Sequence, residues 1–262
     1  MAKLLVRNFP IDIAIVGPGA LGTSLLNNYT RTYPELRYTA VVRKAPVLTS
    51  LNKIDVTYYG TPFRAQQIVL CVKPYQAQEV CQTIKASLHP LTVVVSAMAA
   101  VPQHKLETWL GTKNVVKIMP SILADGPIAV YNPYNIKFIL PRTDIVYAST
   151  EEDLDLATAT CGCVPGFMAA IMEQLIVAVE RLGVDSATAE AMILGNLRAL
   201  TSENIQTVND LQALRAKVGT KGGATEKGIL QLEHNNNLVN IFTKMFKTAD
   251  DHVVALRDKL DE

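Results

Sequence analysis

Short runs rich in apolar and β-branched residues, each of strand length, recur through the first half of the chain and give way to helical periodicity in the second. The run at residues 11–16, IDIAIV, reads as a strand buried on both faces, and residues 23–29 continue it as a helix. Further β-rich runs fall at residues 37–43 (RYTAVVR), 55–59 (DVTYY), 67–72 (QIVLCV), 91–95 (LTVVV) and 114–119 (NVVKIM), with a seventh candidate at 128–131. A helix is expected at residues 75–88, ahead of Pro90. Strands alternating with helices predict a parallel sheet covered on both faces.

Residues 137–140 and 144–147 are short β-type runs separated by Pro141. From Thr150-Glu151-Glu152-Asp153, which resembles a helix start with acids in its first turn, the pattern becomes helical. Residues 165–181 are apolar nearly all round, as in a helix buried between partners. Helices are also expected at 186–205, 210–217 and 226–260, the last interrupted by His234-Asn235-Asn236-Asn237. No internal repeat or low-complexity tract interrupts this order.

With 262 residues and 49% hydrophobic composition the chain can bury a sizeable core. The net charge of +1, with both signs interspersed, argues against a nucleic-acid partner. The opening MAKLLVRNF lacks the plan of a secretory signal, because Arg7 and Asn8 interrupt it. No run of about 18 apolar residues is present, since Glu173 and Gln174 break the most apolar stretch, so no membrane partner is expected. Cys71, Cys81, Cys161 and Cys163 form neither a disulfide framework nor a metal-ligand pair, and buried free thiols are expected. A cytoplasmic location is the expectation.

The chemistry begins where the first strand ends. Gly17, Gly19 and Gly22, with Ala20 and Leu21 between them, spell G-x-G-x-x-G between a strand and a helix. Glycine serves there for the tight turn, for close backbone approach to a pyrophosphate, and for helix–strand packing. The phosphates would sit on the helix N-terminus. The other reading is a glycine-rich turn in some other α/β fold. About 20 residues further on, where an NAD-binding chain carries an acid, stand Arg43 and Lys44. Their charge suits a 2′-phosphate, so NADP is favoured and NAD remains possible; alternatively they open a solvated turn before Pro46. Val72, Lys73 and Pro74 end the fourth strand, and Ser96 and Ala97 end the fifth, so both groups should border the cofactor. Late in the chain, Gly222-Gly223-Ala224-Thr225 opens a helix. This is either an anion-binding nest with a hydroxyl beside it, or a helix stop followed by a Thr225 cap.

Taken together these segments resemble pyrroline-5-carboxylate reductases along nearly the whole chain. The matching blocks are the glycine turn, Val72-Lys73-Pro74, Ser96 with its small-residue tail, and Met119-Pro120. They continue through Gly162-Cys163-Val164-Pro165-Gly166-Phe167, Glu173, Leu214-Arg215, Val218 and the G-G-A-T block. The resemblance implies a Rossmann-type dinucleotide-binding domain over residues 1–149 and an all-helical substrate and dimerisation domain over 150–262. It implies hydride transfer to the C=N bond of a cyclic imino acid. Gly222, Gly223, Ala224, Thr225 and Glu173 would then bind substrate, with the Thr225 hydroxyl near the ring nitrogen as the catalytic group. It also implies a homodimer or a dimer-based higher oligomer.

Departures bear on the substrate more than on the fold. Ser121-Ile122-Leu123 replaces the family's N-T-P after Met119-Pro120, Ala100 and Lys221 stand where glycine and proline are usual, and Gly166 replaces a common alanine. The stretch 132–150 is short by a helix. A reductase of another cyclic imine, or a non-catalytic nucleotide-binding regulator, are the competing readings. A related hydroxyacid dehydrogenase would carry a lysine on the long interdomain helix, and residues 165–180 have none.

Overall fold

The computed structural model describes residues 9–43, 54–141, 143–203 and 205–262. Lys44, expected beside the cofactor phosphate, lies outside the described residues. The chain divides into two compact units, Met1–Pro165 with Thr248–Glu262, and Gly166–Lys247. This division falls later than the boundary expected at 149/150, and the end of the last helix belongs to the first unit.

The first unit is built on an eight-stranded sheet. Its strands are β1 (Ile11–Val16), β2 (Tyr38–Val42), β3 (Asp55–Tyr58), β4 (Ala65–Leu70), β5 (Val93–Ser96), β6 (Val115–Pro120), β7 (Ile128–Tyr131) and β8 (Ile145–Tyr147). Their order is β3-β2-β1-β4-β5-β6-β7-β8. Alternation along β1 serves two cores at once. Ile13 and Ile15 pack with Leu25, Leu26 and Tyr29 of helix α1 (Ala20–Thr32). Ala14 and Val16 face Val80, Cys81 and Ile84 of α2 (Ala77–Ile84) and Leu106 and Leu110 of α3 (Gln103–Leu110). The expected helix at 75–88 is therefore a composite, α2 flanked by 3-10 turns at Pro74–Gln76 and Lys85–Ser87.

The expectation of an all-parallel sheet holds through β6 and then fails. β7 runs antiparallel to β6, with Lys117 opposite Tyr131 and Pro120 opposite Ile128. The connection at residues 121–127 is too short for a crossover helix, so the chain returns as a hairpin. β8 then pairs parallel with β7. Residues 137–140 are not a strand. They form an irregular segment over the α1 face, where Ile139 and Leu140 are buried. Side chains replace a ladder there. Gln67 accepts from Ile139 N at 2.8 Å and donates to its carbonyl at 2.9 Å. Tyr29 donates to the same carbonyl at 2.8 Å, and Tyr33 donates to Leu140 O at 2.9 Å.

The helical half starts as expected. Thr150 caps α4 (Glu151–Ala157) in a reciprocal capping box with Asp153. A single π turn, Thr158–Gly162, links α4 to α5 (Val164–Glu180). Then follow α6 (Ser186–Ser202), α7 (Val208–Val218), α8 (Ala224–Glu233) and α9 (Asn237–Asp261). Asn235 and Asn236, at φ 56° and 54°, make the expected break before α9. Contrary to the run-length expectation, the helical stretch Glu151–Glu180 is long and apolar enough, by length and composition, to cross a membrane. In the second unit many large apolar side chains are exposed, including Met168, Leu175, Met192, Leu200, Leu230 and Ile241.

Candidate nucleotide and substrate sites

Two glycines of the turn after β1 are required by sterics. Gly17 sits at φ +77°, and a Cβ there would lie 2.5 Å from Val72 Cγ1. A Cβ on Gly22 would come within 2.8 Å of the Gly17 carbonyl oxygen, so helix and strand pack through bare backbone. Gly19 differs, because open space surrounds its Cβ position. It is the N-cap of α1 and supplies no side-chain cap, leaving the first-turn N–H groups facing an open approach. That combination fits a pyrophosphate, which would supply the missing acceptor and meet the positive end of the helix dipole.

A cavity of ≈ 380 Å³ opens beside this turn. Among the expected cofactor contacts, Gly17, Gly19, Arg43, Val72 and Lys73 line it, together with Val42, Tyr59, Gln76 and Val80. Ala20, Leu21, Gly22 and Pro74 lie outside the lining. Ser96 and Ala97 do so because they are buried; the Ser96 Oγ accepts from Met98 N at 3.4 Å, as the end of a packed strand. Lys73 is exposed at the end of β4, where a strand's carboxyl end meets the ligand crevice. Burial pushes the Cys71 thiol up to about 12, so the cysteine on the wall stays a neutral packing group.

Arg43 extends from the end of β2 with its guanidinium 5.3 Å from the centroid of the Tyr59 ring. Its Nη2 donates to Glu79 Oε2 at 3.0 Å. The basic group expected for a 2′-phosphate is thus on the cavity wall and already shares its charge with a carboxylate. Sequence reading missed Glu79, which lies 36 residues from Arg43. An acid on the first turn of α2 was the only local signal.

In the second unit, Gly222 adopts φ +78° and Gly223 is the N-cap of α8. A Cβ on Gly223 would approach Thr220 Oγ1 to 2.7 Å. Thr225 therefore lies inside the helix and does not cap it, which removes one of its two sequence-based readings. Thr225 and Ala224 are exposed at the uncapped helix start. The nest already holds one anion of its own, because Glu226 Oε2 accepts from Gly222 N at 2.7 Å. Glu173 is exposed on α5. Arg215 of α7 is joined to Glu233 of α8 by two contacts, at 2.6 and 3.1 Å.

Two of the departures from the family pattern have a defined local setting, at Ala100 and at Ser121. Ala100 is held at φ 61° and is 1% exposed, so alanine carries the left-handed conformation that glycine adopts freely. The Ser121 hydroxyl is drawn into its own loop, accepting from Leu123 N at 3.2 Å, while Ile122 and Leu123 are exposed. Cys161 is buried with its sulfur 3.1 Å from Pro127 O and 3.3 Å from Met119 O, which ties the π turn to the sheet.

Residues 151–256, which include the exposed apolar helices, match the family described as pyrroline-5-carboxylate reductase dimerisation. The chain is 28% identical to the pyrroline-5-carboxylate reductase of Pseudomonas aeruginosa over 184 residues, covering 65% of this chain and 67% of that one. It is 24% identical to pyrroline-5-carboxylate reductase 2 of Bacillus subtilis over 245 residues, covering 84% and 86%. Among solved structures, a pyrroline-5-carboxylate reductase from Coxiella burnetii superposes with a TM-score of 0.78 at 23% identity, covering 94% of this chain and 98% of that one. The Plasmodium falciparum pyrroline carboxylate reductase with NADP bound gives 0.75 at 20% identity, covering 95% and 98%. The glycine turn, the G-G-A-T helix start and this helical region thus stand in one chain that is similar to pyrroline-5-carboxylate reductases along most of its length.

Proposed function

We propose that the protein reduces pyrroline-5-carboxylate to proline with NADPH. The observation that carries this reading is the cavity at the β1 turn, with Gly17 and Gly19 on one wall and Arg43 on another. The P. falciparum structure of similar fold has NADP bound, and the relatives are named for this reaction. The bound nicotinamide supplies hydride to the imine carbon. The protein's part is orientation, because a protonated cyclic imine is already an electrophile and positioning lowers the barrier.

The start of α1 receives the pyrophosphate, Arg43 the 2′-phosphate, and Val72 and Lys73 border the nucleotide. At α8, the N–H groups of Ala224 and Thr225 hold the substrate carboxylate beside Gly222 and Gly223, and the Thr225 hydroxyl holds the ring nitrogen. Glu173 belongs to the same substrate region. The working form is a homodimer or an assembly of dimers, in which a second copy covers the apolar helices. Four free thiols, two of them buried, suit a cytoplasmic setting.

The exposed Ile122 and Leu123 after β6 favour a second reading, a cyclic imine with a more apolar body. One experiment separates the two. Purified protein is mixed with NADPH and pyrroline-5-carboxylate, with NADH alongside, and loss of the reduced nicotinamide is followed. Rapid turnover is the expected result. NADPH binding without turnover of this imine would refute the substrate assignment, and a panel of other cyclic imines would then test the second reading.

A further inference from the structure

Three elements meet at the mouth of the nucleotide cavity: the end of β2, the end of β3 and the first turn of α2. Arg43 lies between the Tyr59 ring, 5.3 Å away, and the Glu79 carboxylate, 3.0 Å away. The Tyr59 hydroxyl donates to the Glu79 carbonyl at 3.0 Å, which fixes the spacing of β3 and α2 around the guanidinium. Arg43 and Glu79 keep 49% and 63% of their side-chain surfaces exposed, so the pair can open without disturbing a core. Arg43, Tyr59 and Val80, the residue after Glu79, all line the cavity.

We propose that Glu79 is a specificity-determining residue, whose carboxylate competes with the cofactor 2′-phosphate for Arg43 and thereby narrows the preference for NADPH over NADH. This rests on the reading that Arg43 receives that phosphate. A phosphate arriving with a charge near −2 meets a guanidinium already compensated by a carboxylate. It must displace Glu79 or bind beside it against repulsion. An unphosphorylated ribose reverses the balance, because its 2′-hydroxyl is a donor and a carboxylate is the acceptor that holds it in NAD-binding sites. The same carboxylate therefore opposes one nucleotide and favours the other. The outcome is set by competition between the carboxylate and the phosphate for one guanidinium.

The test is equilibrium binding of NADPH and of NADH to the full chain, followed by nicotinamide fluorescence at low, fixed ionic strength. Glu79→Gln and Glu79→Ala should each lower the NADPH Kd by about threefold to tenfold, the scale of an exposed charge pair plus carboxylate–phosphate repulsion. The NADH Kd should stay the same or rise. Arg43→Ala should abolish most of the preference, and adding Glu79→Gln to it should lower the NADPH Kd by a clearly smaller factor than in the wild-type background, since additive effects would mean no coupling. If Arg43→Ala abolishes the preference while both Glu79 variants bind NADPH no tighter than wild type, this proposal is refuted and the phosphate role of Arg43 stands. Equal tightening with and without Arg43 also overturns it, because Glu79 would then act as a general surface charge. If Arg43→Ala leaves the ratio unchanged, the phosphate reading and the proposal fall together.

Discussion

Lys117 offers the sharpest test of what holds the nucleotide-binding unit together. It projects from the middle of β6 with 2% of its side chain exposed. Its Nζ pairs with Glu151 Oε1, at the start of α4. The same oxygen accepts from Gln103 N at 2.7 Å, so one carboxylate joins β6, α3 and α4. One turn further along α4, buried Asp155 accepts from Arg257 at 2.8 Å. Glu151→Gln keeps the shape and the acceptor oxygen but removes the carboxylate paired with the buried ammonium, leaving it only the charge of Asp155, which Arg257 already shares. Breaking a buried pair in this way costs about 3–5 kcal/mol. Glu151 retains 19% side-chain exposure, which places the expected loss near the low end, about 3 kcal/mol. In a chain of this size that corresponds to a Tm lowered by about 6–12 °C. The double variant Lys117→Met with Glu151→Gln removes the charge together with its partner and should recover most of the loss. Urea unfolding followed by circular dichroism, at one protein concentration because assembly contributes to stability, reads both numbers. A loss below about 1 kcal/mol for Glu151→Gln, or no recovery in the double variant, would refute the reasoning.

Other outcomes follow from single residues. Gly17→Ala forces a left-handed alanine, costing about 1–2 kcal/mol, and drives its Cβ toward Val72. NADPH affinity should fall at least about tenfold with the fold retained; Gly60→Ala, at φ +90° in open space, should leave affinity unchanged, and equal effects would discount the contact. Burial alone would raise the Asp12 carboxyl, but donations from the Arg37 side chain and backbone overcome it and hold it below its ordinary 3.8. Its stabilising contribution is therefore complete above pH 3.8 and is lost as pH falls through the lowered value. Asp12→Asn should flatten the acid limb of a stability–pH curve, and an unchanged limb would count against this linkage. Thr225→Ala should cut imine turnover while leaving NADPH Kd unaltered; parallel losses in both would indicate a folding defect instead.

The sequence was legible wherever one local constraint decided the structure. The G-x-G-x-x-G turn, the Thr150 capping box and the asparagine break before α9 each rest on backbone requirements within a few residues. It was less legible where distant groups decided. Residues 137–140 have strand composition, yet Gln67 and Tyr29 satisfy their backbone in place of a neighbouring strand. Helix α3 was not anticipated, because its eight residues carry only a short apolar stripe and its packing comes from the sheet. Ser96 ends a strand as a cofactor contact would, but close packing hides it. The Arg43–Glu79 pairing turns on an acid 36 residues away in sequence.

Assigning Thr248–Glu262 to the first unit has a consequence for synthesis on the ribosome. Asp155 receives Arg257, and Lys105 donates to the Asp261 carbonyl at 2.7 Å, while Leu260 packs against the cluster under α2 and α3. A nascent chain that has emerged only as far as Pro165 holds every strand of the sheet but lacks these closing contacts. The nucleotide-binding unit must therefore wait, incompletely covered, while Gly166–Lys247 is translated. Emergence of Thr248–Glu262, rather than emergence of the sheet, is the moment at which this unit can reach its full stability.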